Sequence, residues 1–184
     1  LLASHYMRLE DYAAALSVAE VAMHTGGMRE ESDLRRLASL YSQVSVPEKA
    51  ARKMAAWMEE GRVEINAETW RQLGDLWMLS RERENAKEAL WESVALEGDA
   101  KTYEFLASIH FEDAEWQRSY EAFERALRLT DTDDDDLHRI EMLTGLTAMR
   151  AGHKTEAREF LLLAQQDSEL RGQVRSILRE LDQQ

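Results

Sequence analysis

Cysteine is absent from this 184-residue chain, and proline occurs once. The first absence excludes disulfides, cysteine nucleophiles and thiolate metal sites, and leaves both cytoplasm and periplasm open. The second removes the commonest helix breaker from a sequence rich in Ala, Leu, Glu and Arg, all strong helix formers. Strand-type runs of Val, Ile, Thr and aromatics are missing. So is any uninterrupted apolar run of about 18 residues, and no direct insertion of this segment into a membrane is expected. Positive charge is also scarce: 23 Lys and Arg stand against 36 Asp and Glu, a net charge of −13. Such a chain repels nucleic-acid phosphates and anionic lipid surfaces, so no nucleic acid is expected among its partners.

Reactive constellations are missing as well. The five histidines, His5, His24, His110, His138 and His153, are scattered, with no HExxH, no pair at i, i+4 and no triad-like grouping. No GxxxxGK[ST] or GxGxxG is present to cradle a nucleotide phosphate. The acidic run Asp131 to Asp136 lacks the alternating ligands, central glycine and terminal Glu of an EF-hand loop. It reads as a solvated loop that lends negative charge to a helix N-terminus. The chain is therefore expected to be no enzyme, with no cofactor and no catalytic or metal site.

What the sequence does have is a repeat. From Ala67 to Ala126 the same residue types recur at an offset of about 33 residues, the length of a helical hairpin used as a repeat. Trp70, Leu73, Gly74 and Trp77 align with Tyr103, Leu106, Ala107 and His110, and Ala86 and Leu90 align with Ser119 and Phe123. A small residue marks the second helix of each hairpin at Ala15, Ala50, Ala86, Ser119 and Ala157. On these residues the chain resembles the tetratricopeptide repeat (TPR) superfamily. The fold expected from that resemblance is all-α, a TPR-like superhelical solenoid of five helical hairpins plus a C-terminal capping helix.

One array over 1–184 is expected, with repeats at about 1–28, 31–64, 67–99, 100–133 and 134–167 and the capping helix at about 168–182. Gly26 and Gly27 end the first repeat, since glycine accepts the left-handed conformation of a helix terminus. Ser32 and Asp33 sit where the next helix could be capped. Pro47 suits the first turn of a second helix, and Gly61 closes that pair. Leu170, Val174, Ile177, Leu178 and Leu181 give the last helix one apolar face, as a terminal cap needs. Departures from the family pattern are His110, Ser119, Thr144 and the lack of a repeat-ending proline. Leu1 stands where a methionine would open a gene product, and the expectation is a piece of a longer protein.

The resemblance implies a concave surface built from first helices. Its positions carry Ser32, Arg35, Ser39 and Ser42; Glu68, Arg71, Asp75 and Met78; Lys101, Glu104, Ser108 and Phe111; and Arg139, Met142, Leu146 and Met149, with Arg36 and Gln72 flanking. The expected guest is a protein or peptide segment with an acidic end and an apolar end. Chaperone-binding TPR domains clamp a carboxylate with lysine and asparagine, whereas the matching positions here are Arg35, Ser39, Arg71 and Asp75, without asparagine. A chaperone-adaptor role is therefore disfavoured, although an arginine could grip a carboxylate bidentately.

A second resemblance lies in VSVPEKAARKMAAWMEEGRVEINAETWRQLGDLWMLSRERENAKEAL and GDAKTYEFLASIHFEDAEWQRSYEAFERAL. The Val-Pro turn, the Gly-x-Val step and the Gly-Asp-Ala-Lys turn look like those of TPR proteins accompanying bacterial TonB, ExbB and ExbD systems. That implies a periplasmic scaffold beside energised uptake, the alternative location being cytoplasmic. A competing expectation is a structural or self-association segment of a larger secretion or export protein.

Overall fold

The computed structural model describes residues 2–131 and 133–183, and those residues form eleven α-helices and no strand. They divide into two compact units, the first ending at Leu96 and the second beginning at Glu97. The division falls beside Gly98 and Asp99, where the sequence joins its third and fourth repeats. The first unit holds α1 (Leu2–Arg8), α2 (Tyr12–His24), α3 (Glu31–Gln43), α4 (Pro47–Glu59), α5 (Ala67–Leu79) and α6 (Arg83–Leu96). The second holds α7 (Ala100–Glu112), α8 (Trp116–Leu129), α9 (Leu137–Ala151), α10 (Lys154–Ala164) and α11 (Arg171–Gln183). Consecutive helices pair as five hairpins, and α11 packs beside the last of them. None of the described helices is long and apolar enough to cross a membrane.

The turn inside each hairpin follows one pattern. After the first helix one residue takes the left-handed conformation: Glu10, Ser45, Arg81, Ala114 and Gly152, with φ of 58°, 62°, 63°, 57° and 92°. The residue after it donates its N–H to a carbonyl five positions back, giving Asp11 to Tyr6, Val46 to Tyr41, Glu82 to Trp77, Glu115 to His110 and His153 to Ala148, at 2.9–3.1 Å. This is the Schellman arrangement, which satisfies carbonyls the helix leaves open. Each left-handed residue lies five positions before the small residue of the second helix, so the turn sets the phase of the crossing. Four of the five are not glycine, and so composition did not reveal them.

At the crossings the backbones come close, as the small residues require. A Cβ added at Gly74 would lie 2.8 Å from the Leu90 Cγ, and one at Gly145 would lie 2.7 Å from the Leu161 Cγ and 3.0 Å from the Ala157 carbonyl. Ala38, Ala50, Ala86, Ala107 and Ala157 are fully or almost fully buried. Ser119 stands for alanine because its hydroxyl donates to the Ala107 carbonyl across the hairpin at 2.8 Å. Buried Thr144 likewise donates to the Ile140 carbonyl at 2.7 Å, so neither hydroxyl is left unsatisfied.

Helix ends follow local rules, with one correction. Asp11, Asn66 and Asp99 cap α2, α5 and α7 by accepting from the N–H groups of Ala14, Thr69 and Thr102 at 2.9–3.0 Å. Pro47 opens α4, and left-handed Gly26 and Gly61 follow α2 and α4. Ser32 and Asp33, expected as caps, lie inside α3; Glu30 is its N-cap and makes no side-chain cap bond. The negative charge of Glu31 and Asp33 in the first turn serves the helix dipole in its place.

A polar tie holds α2, α3 and α4 together. The Glu20 carboxylate accepts from Lys49 Nζ at 2.6 Å and from the Tyr41 hydroxyl at 2.7 Å. The Lys49 hydrogen bond, then that of Tyr41, lowers the Glu20 pKa below its ordinary value near 4.5. A lowered folded pKa means that this stabilisation is present above the unfolded value and is lost as pH falls through the folded one. Glu20→Gln is therefore expected to cost about 1 kcal/mol or less at pH 7, since the pair is partly solvated. The difference from wild type should shrink on acidification below about pH 4, read by urea unfolding at several pH values. A difference that stays constant down to pH 2.5 would show that the tie is not ionic.

Candidate functional site

In the first unit, α3 and α5 flank a hollow of about 310 Å³ lined by Arg35, Ala38, Ser39, Ser42, Met54, Gln72, Asp75 and Leu76. Ala38, Met54 and Leu76 are buried and give it an apolar wall, Ser39 is exposed, and Arg35, Ser42, Gln72 and Asp75 are half-buried. Helical spacing explains the set: Arg35, Ala38, Ser39 and Ser42 share one face of α3, and Gln72, Asp75 and Leu76 share one face of α5. Five residues of the anticipated surface, Arg35, Ser39, Ser42, Gln72 and Asp75, thus come together.

Their chemistry differs from the expectation. Arg35, an arginine that could grip a carboxylate, already points three of its N–H donors at protein acceptors. Nε donates to Glu31 at 2.7 Å, Nη1 to Gln72 Oε1 at 2.5 Å and Nη2 to Thr69 at 2.6 Å. Gln72 in turn donates to Glu68 at 3.0 Å, and the other Glu31 oxygen accepts from the Glu64 N–H at 3.1 Å. Arg35 thus acts as a stitch between two repeats. The i, i+4 spacings Glu31–Arg35 and Glu68–Gln72 were the available signal for this network, but Thr69 could not be read as a member.

Asp75 is the opposite case. Arg71 Nη1 lies 3.8 Å from its Oδ2, beyond hydrogen-bond reach, and no described residue donates a hydrogen bond to it. Burial raises its pKa, and the charge of Arg71 offsets this only in part. Arg71 itself is exposed and does not line the hollow. Arg36 points away to a second hollow beside α1 and α2, with Asp33 at 3.6 Å. Met78 is half-buried against the core of the first unit, so it serves packing there.

The anticipated residues of the second unit turn to neighbours within that unit. Arg139 reaches back from α9 to Glu104 on α7 at 2.7 Å and also holds Asp136 at 2.9 Å, another stitch between repeats. Phe111 meets Trp116 edge to face, with ring centroids 5.3 Å apart. Met142 and Leu146 pack partly buried against the core beneath α11, and Met149 is 2% exposed, a core residue. These three belong to the core that α8, α9, α10 and α11 share in this unit. Lys101 is exposed, and the acidic run is exposed wherever it is described, Thr132 lying outside the described residues.

Helical hairpins in tandem, each with a small-residue crossing and the same left-handed turn, match known repeat structures. A MamA crystal structure shares 19% identity at a TM-score of 0.68, over 93% of this chain and 90% of that one. This chain has the TPR fold. The TPR-like repeats of a kinesin light chain from Podosopora anserina share 17% identity at a TM-score of 0.61, over 100% and 94% of the two chains. Pseudomonas aeruginosa PilF shares 18% at a TM-score of 0.55, over 90% and 72%. No protein-family model matches the sequence, and no curated protein does.

Proposed function

We propose that the chain is a non-catalytic protein-interaction scaffold that binds an extended protein or peptide segment in the hollow between α3 and α5. The observation that carries this is the hollow's make-up: an apolar wall of Ala38, Met54 and Leu76, edged by polar groups of which only some are consumed internally. About 300 Å³ is the lower size of a pocket that buries a ligand group, and apolar walls with a few polar groups are how such sites gain affinity and orientation. The TPR fold supports the reading, since tandem helical hairpins offer extended surfaces built from first helices. An address beside a TonB-type uptake system in the bacterial envelope is the finer form of the proposal. Its support is the Val-Pro, Gly-x-Val and Gly-Asp-Ala-Lys turns, whose Pro47 opens α4 and whose Asp99 caps α7.

The test uses Ser39→Trp, which fills the hollow from an exposed position and leaves the core alone. Peptides selected from an unbiased displayed library on wild type are expected to lose about tenfold or more in affinity for the variant, as a blocked pocket would cause. Failure to select any peptide, or selected peptides that bind the variant equally well, would sink the proposal.

A further inference from the structure

The charges around the hollow do not balance in the way its sequence suggests. Arg35 is neutralised by Glu31 at 2.7 Å and held by Gln72 and Thr69, so the cation expected to receive a guest is engaged within the protein. Gln72 has its carbonyl on Arg35 and its amide on Glu68. Asp75 alone among the charged lining residues keeps its oxygens free of hydrogen-bond donors, in a half-buried position beside buried Leu76. Water still reaches this carboxylate, but it has lost part of its hydration, so a cationic donor brought by a guest is favoured there.

We propose that this hollow takes a lysine or arginine side chain from an extended partner segment, its charged head on the Asp75 carboxylate and its aliphatic stem along Ala38, Met54 and Leu76. The proposal rests on the groove reading above and names the chemistry of its guest. Long basic side chains combine an apolar stem with a cationic tip, which matches an apolar wall ending at one open carboxylate. The chain's net charge of −13 favours approach of a basic segment and disfavours an acidic one. Exposed Arg71, 3.8 Å from Asp75, is a competing cation that a guest displaces.

Peptide selection as above, on wild type, Asp75→Asn and Arg71→Gln, tests this directly. Wild type is expected to enrich one position for Lys or Arg. Asp75→Asn is expected to abolish that enrichment and to weaken the selected peptides by about tenfold or more, the loss of a charge-assisted bond. Arg71→Gln is expected to tighten them, because the competitor is gone. Were Arg71 instead a carboxylate grip, its removal would weaken binding. Asp75→Asn keeps its shape and removes a charge whose burial favours the unfolded chain above the ordinary carboxylate range, so its melting temperature at pH 7 should equal or exceed wild type. Peptides that Ser39→Trp blocks but that show no basic preference, or an acidic one, would overturn this inference and leave the groove intact. Peptides indifferent to Ser39→Trp would remove the groove itself. Binding of spermidine as tight as that of the peptides, or Asp75-dependent self-association in sedimentation, would overturn the assignment of the guest to a partner segment.

Discussion

Trp57→Ala is expected to cost about 3–5 kcal/mol, the range for removing a large buried aromatic side chain. Trp57 lies on α4, is 2% exposed and belongs to the core cluster that joins α2, α3, α4 and α5 with Leu37, Leu40, Tyr41 and Leu73. Its carbonyl also accepts the N–H groups of Arg62 and Val63 at 2.8 and 3.2 Å, the turn that leads to α5. Truncation leaves a cavity in that cluster, where collapse is limited because its members sit on separate helices. Against a total stability of about 5–15 kcal/mol the loss is severe, and the melting temperature should fall by on the order of ten degrees or more. Thermal unfolding followed by circular dichroism checks this. A midpoint within two degrees or so of wild type would mean that Trp57 is not a core residue, contrary to its burial.

Leu161→Ala is expected to cost about 2–5 kcal/mol, and its interest lies in what it does to Gly145. Leu161 is fully buried on α10, with its Cγ where a Cβ on Gly145 would sit at 2.7 Å. In the wild-type background Gly145→Ala gains about 1 kcal/mol of helix propensity but meets an overpacking cost of about 1–3 kcal/mol, so it should destabilise. With Leu161 cut back to alanine its Cγ and Cδ2 are gone, and the Ala157 carbonyl at 3.0 Å must yield by only a few tenths of an ångström. Gly145→Ala should then be neutral or stabilising, and the two changes should couple by at least about 0.5 kcal/mol in urea unfolding. Additive effects would show that α9 and α10 do not meet at this pair.

Several features of the fold were legible in the residues. Small residues recurring at Ala15, Ala50, Ala86, Ser119 and Ala157 marked where backbones approach, because only a short side chain permits the approach, and the crossings stand there. Pro47 and Gly61 marked a helix start and a helix end, because fixed φ and freedom from a Cβ are local properties. The turn residues Glu10, Ser45, Arg81 and Ala114 were not legible. Their left-handed backbone is imposed by packing of the hairpin against a modest cost of about 1–2 kcal/mol each, which these residue types do not advertise.

The candidate site divides along the same line. Periodicity by itself determined that Arg35 and Ser39 share a face of α3 and that Gln72 and Asp75 share a face of α5, because a helix repeats every 3.6 residues wherever it lies. Only the tertiary structure decided that Arg35 is spent on Gln72 and Thr69 while Asp75 is left without a donor. It likewise decided that Met149 is core. The physical reason is range. Which side of a helix a residue occupies follows from its neighbours a turn away, but whether a charge finds a partner depends on groups more than thirty residues distant and on the water that their packing expels.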